Sequence, residues 1–570
     1  MNNKILLGVA ISIASLHSNA VPFQVLDARS MAMGGTGVAS AQISTMVPFN
    51  PALLATYRAD DHFSLTFPRL GLFGSDEDDF IDAVTDFDDA NYFDDFDVTI
   101  NSVSSDVDNL SGALDGTTAG DNGVTAALSN VTTSIDNSTT IAQSDLDTLD
   151  TTNSNSSISL FSSSTTSLQT NAGTNGALTR NVIALNDGLD SLSGKALRGG
   201  FGGGLSFAIP SKSFGISVSI DSTVTGSGLL TILEKDTQLL VDYTTATGGY
   251  VDVSATFADD LVNFSALTVK LAAFTSDPVN NPILTGAEAA ALDLFVLGQD
   301  GDASTADTGS IAASEAAVSN YSANDADGNP LISNNNFVGD DPDLVSTAHF
   351  FGIAVTDISL GIGRMFNIQD QNIAIGITPK LQRVDVFDVI YQLDGEDQNG
   401  LEVDFDDIEV DDYHKEFTEF NLDAGIAYRF GESERWQVAG SLKNIMSKSY
   451  TSVTGKKIDL NTMARAGLSY ENTDFWLKPK LAMDLDLTEN EPTAFEDPTR
   501  YFGFGAEIDL FRTIQLRGGY RTNLSGTDQE VISIGIGFSP LVVHFDLAVM
   551  ANPNDPEKEA GAAFEMGVEF

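Results

Sequence analysis

From about Ile373 to Phe570 the sequence alternates apolar and polar residues in segments of about ten, a rhythm suited to β-strands with two unlike faces. Leu422, Ala424, Ile426, Tyr428 and Phe430 fall on one face, while Asn421, Asp423, Gly425, Ala427 and Arg429 fall on the other. Ile532, Ile534, Ile536 and Phe538 oppose Ser533, Gly535 and Gly537, and Phe502, Phe504, Ala506, Ile508 and Leu510 oppose Gly503, Gly505, Glu507 and Asp509. Two architectures use such strands: a soluble β-sandwich with its apolar faces inward, and a transmembrane barrel with its apolar face toward lipid. The segments have the length that a tilted strand needs to cross a bilayer. Aromatic residues sit near segment ends, at Tyr428, Phe430, Trp436, Tyr470, Trp476 and Phe511, where a headgroup girdle would lie. At the C-terminus Phe564, Met566, Val568 and Phe570 alternate with Glu565, Gly567 and Glu569. A last strand ending on an aromatic residue resembles the signal read by outer-membrane assembly machinery. The four apolar residues are therefore assigned as an assembly signal, with that machinery as a partner.

The chain carries 28 Lys and Arg against 81 Asp and Glu, a net charge of -53. Such an excess excludes nucleic acid as a partner, because phosphate binding needs clustered cations. It also argues against docking on an anionic lipid surface. Cysteine is absent, which removes disulfides, thiol catalysis, Cys-ligated zinc and iron-sulfur clusters together. At the N-terminus Lys4 precedes the apolar run Ile5 to Leu16, and His17-Ser18-Asn19-Ala20 follows, the layout of a signal peptide spanning 1–20 and removed after Ala20. Beyond it no apolar stretch is long enough for a helical span, so an exported chain of this kind reaches the bilayer only as a closed barrel.

Counting back from Phe570, strands are expected near 559–570, 541–552, 530–539, 514–524, 500–511, 476–488, 460–471, 436–449, 417–430 and 373–388. A longer one covers 347–366, where the alternation slips between Val355 and Ile358 as at a bulge. Two more lie within 199–225, and a first strand occupies 62–73. The fold class is thus all-β: a transmembrane antiparallel barrel of about fourteen strands. Residues 21–61 form an N-terminal hatch, and 347–570 the remainder of the barrel. The tight connections Ser211-Lys212-Ser213, Gly431 to Arg435 and Arg512-Thr513 share one side, assigned to the periplasm. Two long connections, 74–198 and 226–346, exceed ordinary loop lengths and read as large, partly helical extracellular insertions.

In the first insertion Phe96, Ile100, Val103, Val107, Leu110 and Leu114 step by threes and fours, as do Leu178, Val182, Leu185, Leu189 and Leu192, and Val124, Leu128, Val131 and Ile135. That spacing predicts helices with a narrow apolar seam. The second carries Phe257, Leu261, Phe264, Val269 and Phe274, and an Ala-rich stretch from Glu288 to Leu297.

Between the signal peptide and the first strand lie Asp27-Ala28-Arg29-Ser30-Met31-Ala32-Met33-Gly34-Gly35-Thr36-Gly37 and Phe49-Asn50-Pro51-Ala52-Leu53. This arginine, Met-Gly-Gly turn and Asn-Pro-Ala-Leu box resembles the hatch of the FadL family of outer-membrane transporters for long-chain fatty acids and other hydrophobic compounds. With Thr378-Pro379-Lys380-Leu381-Gln382-Arg383-Val384-Asp385, it looks closest to the branch known as conjugal transfer protein TraF, which is unrelated to the thioredoxin-like proteins of that name. The resemblance covers the hatch and the barrel but not the insertions. It implies that Asn50, Pro51 and Ala52 turn the hatch into the barrel and that Val21, Pro22 and Phe23 lie where ligand meets the plug. A barrel of this size leaks without a plug, which gives the hatch a purpose on physical grounds as well.

No GxGxxG, GxxxxGK[ST], GxSxG or HExxH occurs, and the four histidines beyond the signal peptide are scattered, so no catalytic residue, metal site or cofactor is assigned. The acidic runs Asp76 to Asp79 and Asp404 to Asp407 lack the spacing of a calcium loop, and Asp325-Ala326-Asp327-Gly328 lacks its first carboxylate. Lys478, Lys480, Arg517, Arg521, Arg429, Asp484, Glu507 and Asp546 are expected to pair inside the lumen and with the hatch. The leading expectation is an outer-membrane barrel for passive uptake of hydrophobic small molecules, with Gly202, Gly203 and Gly204 as a weakened stretch of wall through which a path opens sideways. The alternative is a surface protein whose insertions bind a protein partner or a conjugation apparatus, the barrel serving as a mount.

Overall fold

The computed structural model describes residues 27–56, 62–116, 123–125, 151–276, 311–334, 336–338, 345–392, 410–472, 476–490, 495, 498–526, 529–540 and 542–569. The alternating segments become strands β1 (Ser64–Ser75), β2 (Ala196–Ile209), β3 (Gly215–Thr231), the short β4 (Ala323–Asn324), β5 (Pro330–Ser333) and β6 (Asn336–Phe337), then β7 (Thr347–Ile368), β8 (Gln371–Gln392), β9 (His414–Phe430) and β10 (Trp436–Lys443). These are followed by β11 (Lys448–Thr451), β12 (Lys457–Leu460), β13 (Met463–Glu471), β14 (Leu477–Asp486), β15 (Tyr501–Leu510), β16 (Ile514–Asn523), β17 (Glu530–Phe538), β18 (Val543–Ala551) and β19 (Ala560–Glu569). Fourteen of them, β1–β3, β7–β10 and β13–β19, form a closed antiparallel barrel in which β19 returns to pair with β1. Closure leaves no edge strand unpaired, which a bilayer requires.

The outward face is mostly apolar. Ile532, Ile534, Ile536 and Phe538 are exposed while Ser533 is buried, and Ile426 and Phe430 are exposed while Asn421, Asp423 and Ala427 are buried. Near the tight-turn end the aromatic residues touch one another: Phe430 stacks on Trp436 at 6.4 Å, Trp436 meets Tyr470 at 5.0 Å, and Trp476 stacks on Phe511 at 5.1 Å. Rings with an apolar body and a polar tip suit a membrane interface.

Three details differ from the sequence reading. The slip between Val355 and Ile358 is not a bulge, since the ladders with β3 and β8 keep register through it. What changes there is the lumen, whose facing residues pass from Phe351, Ile353 and Val355 to Asp357 and Ser359. The bulge lies instead in β1, where Phe67 and Pro68 together stand opposite Leu205 of β2 and Met566 of β19. Proline has no N–H to give the ladder, which accounts for its position there. The segment 436–449 is two strands, because β10 ends at Lys443, Asn444 takes a left-handed φ of 52°, and β11 leaves the wall to pair only with β12.

The chain divides into two units, residues 1–83, 193–231 and 346–570, and residues 84–192 and 232–345. In the first, the hatch runs through helix α1 (Ala28–Ala32), a 3-10 turn at Ile43–Thr45, helix α2 (Met46–Phe49) and a 3-10 turn at Pro51–Ala55. Helix α3 (Phe80–Asp89) follows β1, and the buried Asp76 carboxylate caps it by accepting the Phe80 and Ile81 N–H groups, both at 2.7 Å. Part of that acidic run thus has a capping role.

The second unit holds α4 (Tyr92–Asp115), α5 (Thr151–Ala172), α6 (Ala177–Leu192), α7 (Glu234–Ser276), α8 (Ile311–Ser319) and the sheet β4–β6. The predicted seam positions Val103, Val107, Leu110, Leu114, Leu178, Val182 and Leu185 are buried. Both insertions contribute to one core, in which Phe161 from the first meets Phe257 from the second edge-on at 5.0 Å. The Ser/Thr-rich α5 has no regular apolar period in sequence, yet it buries Phe161 and Leu168. Leu128, Val131 and Ile135, the stretch 288–297 and residues 404–407 lie outside the described residues, as do the side chains of Phe264, Val269 and Phe274.

Candidate functional site

The lumen is filled by the hatch, and the wall is built to receive it. Asn50 is fully buried, and its side-chain amide donates to the carbonyls of Val38 at 3.0 Å and of Ile426 and Gly440 at 3.3 Å. Its oxygen accepts the Ala52 N–H at 3.0 Å and so caps the Pro51–Ala55 turn. One residue therefore ties the hatch to itself and to two wall strands. Pro51 opens that turn, where a missing N–H costs nothing. The Asn50-Pro51-Ala52 segment rests against Gly376 and Gly425, where an added Cβ would overlap Pro51 and the Asn50 oxygen. Small lumen-facing Ala208, Ala374, Ala427 and Ala439 complete this socket around Leu53, Leu54 and Phe49.

A second socket lies across the lumen. Gly34 turns with φ 66° between the backbones of Phe504 and Tyr520, too close for any side chain there. Its N–H donates to Ser533 Oγ at 3.2 Å, and α1 packs Ala28, Met31 and Ala32 on Val531, Ala548 and Ala563.

Charge fixes the plug between these sockets. Asp484 Oδ2 accepts the N–H groups of Gly37 at 2.8 Å and Val38 at 2.9 Å. Arg29 Nε pairs with Glu507 at 2.8 Å, Arg517 joins the same carboxylate at 2.7 Å, and Arg517 also pairs with Asp546. Arg29 additionally donates to the Ser40 carbonyl at 2.6 Å. Arg521 pairs with Glu559, Arg465 with Asp486, and Ser44 Oγ donates to Glu565 at 3.1 Å. The wall carboxylates were legible as lumen groups. Arg29 and Ser44 as their hatch partners were not, because pairs separated by hundreds of residues leave no local signal.

Two cavities bracket the plug. The one toward the tight turns, about 210 Å³, is lined by Arg29, Lys480, Arg517, Glu507, His544 and Asp546. The one toward the long connections, about 140 Å³, is lined by charged, polar and apolar side chains. Among these, Lys380 lies between Asp357 at 2.9 Å and Asp423 at 3.2 Å, and Gln382 donates to Asp357 at 2.8 Å. Phe49, Ile353, Val355, Leu460 and Met463 supply apolar lining. Arg69 pairs with Asp221 at its edge.

Gly203 also borders this chamber, and Gly202, Gly203 and Gly204 pair with both β1 and β3 without a break. The interruption sits one residue along, opposite Leu205, at Phe67-Pro68. Phe564 faces outward from β19 with Met566 and Val568 at alternate positions, while Glu565 is buried in the lumen. Val21, Pro22, Phe23 and Phe570 lie outside the described residues.

Residues 47–486 match the sequence family described as "F plasmid transfer operon, TraF, protein". This span includes the Asn-Pro-Ala-Leu box and residues 378–385, on which the resemblance to the TraF branch rested. No curated protein sequence matches the chain. Among solved structures, the Ralstonia pickettii toluene transporter TbuX aligns over 95% of this chain and 98% of its own, at 9% identity and a TM-score of 0.39. The Pseudomonas putida toluene transporter TodX aligns over 96% and 98%, at 8% identity and a TM-score of 0.32.

Proposed function

The chain belongs to the family of the F plasmid transfer operon TraF protein, and from that premise and the chemistry of its lumen we propose that it is an outer-membrane barrel that admits hydrophobic small molecules through a plugged pore. The observation that carries this reading is the chamber between the hatch and β1–β3, β7 and β8, which Phe49, Ile353, Val355, Leu460 and Met463 line on its apolar part and the bulged strand β1 borders. The tight turns face the periplasm and the long connections face outward. A ligand taken from outside reaches the chamber, and movement at the Phe67-Pro68 bulge beside Gly202–Gly204 lets it pass sideways, since the hatch closes the axial route. Uptake is passive. Long-chain fatty acids are the first ligands to try, and the assembly machinery recognises the strand ending in Phe564, Met566, Val568 and Phe570.

A second reading, a surface protein acting in cell adhesion or transfer, is favoured by one specific observation: the two insertions share a core of their own. A loop that only shields a pore has no need of one. The experiment that separates the readings measures uptake of a labelled long-chain fatty acid in cells with and without the gene, and in cells lacking residues 100–190. Outer-membrane location is scored in the same samples. Gene-dependent uptake supports transport. Uptake that is independent of the gene, together with a failure of mating or of cell adhesion in the deletion strain, transfers the function to the helical unit.

A further inference from the structure

The connection between β10 and β13 does not point away from the barrel. It turns inward at Asn444 and forms the hairpin β11–β12, whose Tyr450, Ile458 and Leu460 are buried against Phe351, Ile353, Val384 and Val386 of the lumen wall. Phe417 packs on the Tyr450 ring at 4.9 Å. At the tip, Lys456 places its ammonium 4.2 Å from the Phe351 ring and 4.3 Å from the Phe495 ring, and Thr454 Oγ1 donates to Asp388. Lys448 pairs with Glu419 at 2.9 Å, and Lys415 donates to the Ser452 carbonyl at 2.6 Å. At the base Thr462 Oγ1 donates to the Asn444 carbonyl at 3.0 Å, which closes the hairpin into a loop hung from two adjacent points of the wall.

The hairpin forms part of the chamber, since Asn444 and Leu460 line it together with the hatch residues Val47 and Phe49. The hairpin and the hatch thus close the same cavity from opposite sides. Their attachments differ in extent. The hatch is held by buried carboxylates and by wall glycines that admit its backbone. The hairpin is a lone two-stranded ribbon, marginal by itself, resting on one apolar cluster, a cation–π tip and the few polar contacts of Lys448, Ser452 and Thr454 with the wall. It is the weaker closure, and it lies on the side from which ligand arrives.

We propose that the β11–β12 hairpin is a second gate, acting in series with the hatch and swinging out of the lumen about Asn444 and Thr462 to admit ligand to the chamber. The proposal rests on the transport reading for its purpose, but its test does not, because solvent access is measured without a ligand. The chain has no cysteine, so one introduced thiol reports one place. Ser359→Cys sits in the chamber and Ser539→Cys on the tight-turn side of the hatch.

Each single-cysteine protein, purified whole in detergent with its barrel confirmed folded by heat-modifiable gel mobility, is reacted with a polar maleimide. A version in which residues 448–460 are replaced by a short Gly-Ser link should label at Ser359→Cys about tenfold faster or more. Lys456→Met, which keeps the fold and the stem but loses the charge, should fall between that version and the parent. The Ser539→Cys rate should be the same in all backgrounds. Equal Ser359→Cys rates with and without the hairpin overturn the gate. A parallel rise at Ser539→Cys also overturns it, because the hairpin would then be holding the hatch and not closing a chamber of its own.

Discussion

The side-chain oxygen of Asn50 occupies the space that a Cβ on Gly425 would need. The hatch is seated by shape as much as by bonds: Gly425 admits the residue whose amide then bonds the wall carbonyls of Ile426 and Gly440. Gly425→Val should displace the plug without breaking the strand, since valine favours β-structure. Asn50→Ala removes the donor to three carbonyls and the cap of the Pro51–Ala55 turn, a loss of about 1–3 kcal/mol. Both variants should raise ion conductance in planar bilayers and speed protease cleavage within residues 27–56. A Gly425→Val protein as tight and as resistant as the parent would dismiss the socket.

Arg29, Glu507, Arg517 and Asp546 form one buried network across the hatch–wall boundary. Glu507→Gln leaves two guanidinium groups facing a neutral partner, and breaking a buried pair from one side costs about 3–5 kcal/mol. Arg29→Met added to Glu507→Gln should recover part of that loss, because it removes the guanidinium left without a carboxylate, whereas Arg517 keeps Asp546. A double-mutant cycle on the thermal release of the hatch, read by protease susceptibility, should therefore be non-additive. Strict additivity would mean that Arg29 and Glu507 do not act on each other.

The strands could be read because each carries its own two-faced pattern, so that Ile532, Ile534 and Ile536 declare lipid and Ser533 declares lumen within one segment. The reading failed where the lumen itself turns apolar. Phe351, Ile353 and Val355 look outward-facing by composition, yet they face the β11–β12 hairpin, and the change to Asp357 mimics a bulge. Tyr450, Ile458 and Leu460 alternate as any strand does, so their departure from the wall showed only in Asn444 and in the shortness of the two segments. The hatch motif was visible as a string, but its function was not. Asn50 matters through Gly376, Gly425 and Gly440, and glycines in strands carry no label of what they admit. The shared core of the two insertions was hidden for the same reason, since Phe161 and Phe257 sit in different connections with β2 and β3 between them in the chain.

The lateral path makes a demand on Gly203. A Cβ there would stand 2.6 Å from the Arg69 carbonyl oxygen and 3.0 Å from a Leu70 methyl, next to the bulge at Phe67-Pro68. Gly203→Val therefore jams the β1–β2 seam from its own side. Uptake of a labelled long-chain fatty acid should fall severalfold while the amount of protein in the outer membrane stays the same. Uptake at the parental rate would show that ligand leaves the chamber by another route.

The helical unit offers a test of its own, independent of the membrane. Tyr250 is buried in its core with its ring 5.4 Å from that of Tyr321, and burial pushes the Tyr250 hydroxyl up to about 12 from its ordinary 10.0. A group whose folded pKa is raised contributes stability that is complete below its unfolded value and is lost as pH climbs through the folded value. The unit should therefore keep its helices up to about pH 10 and weaken between 10 and 12, a loss on the order of 2 kcal/mol. Tyr250→Phe has no proton to lose. It should hold the helical circular dichroism signal through that window, with barrel mobility on gels unchanged in both proteins. If the two proteins lose helix at the same alkaline pH, then ionisation of Tyr250 is not what opens this core, and the tyrosine contributes to it only as an apolar ring.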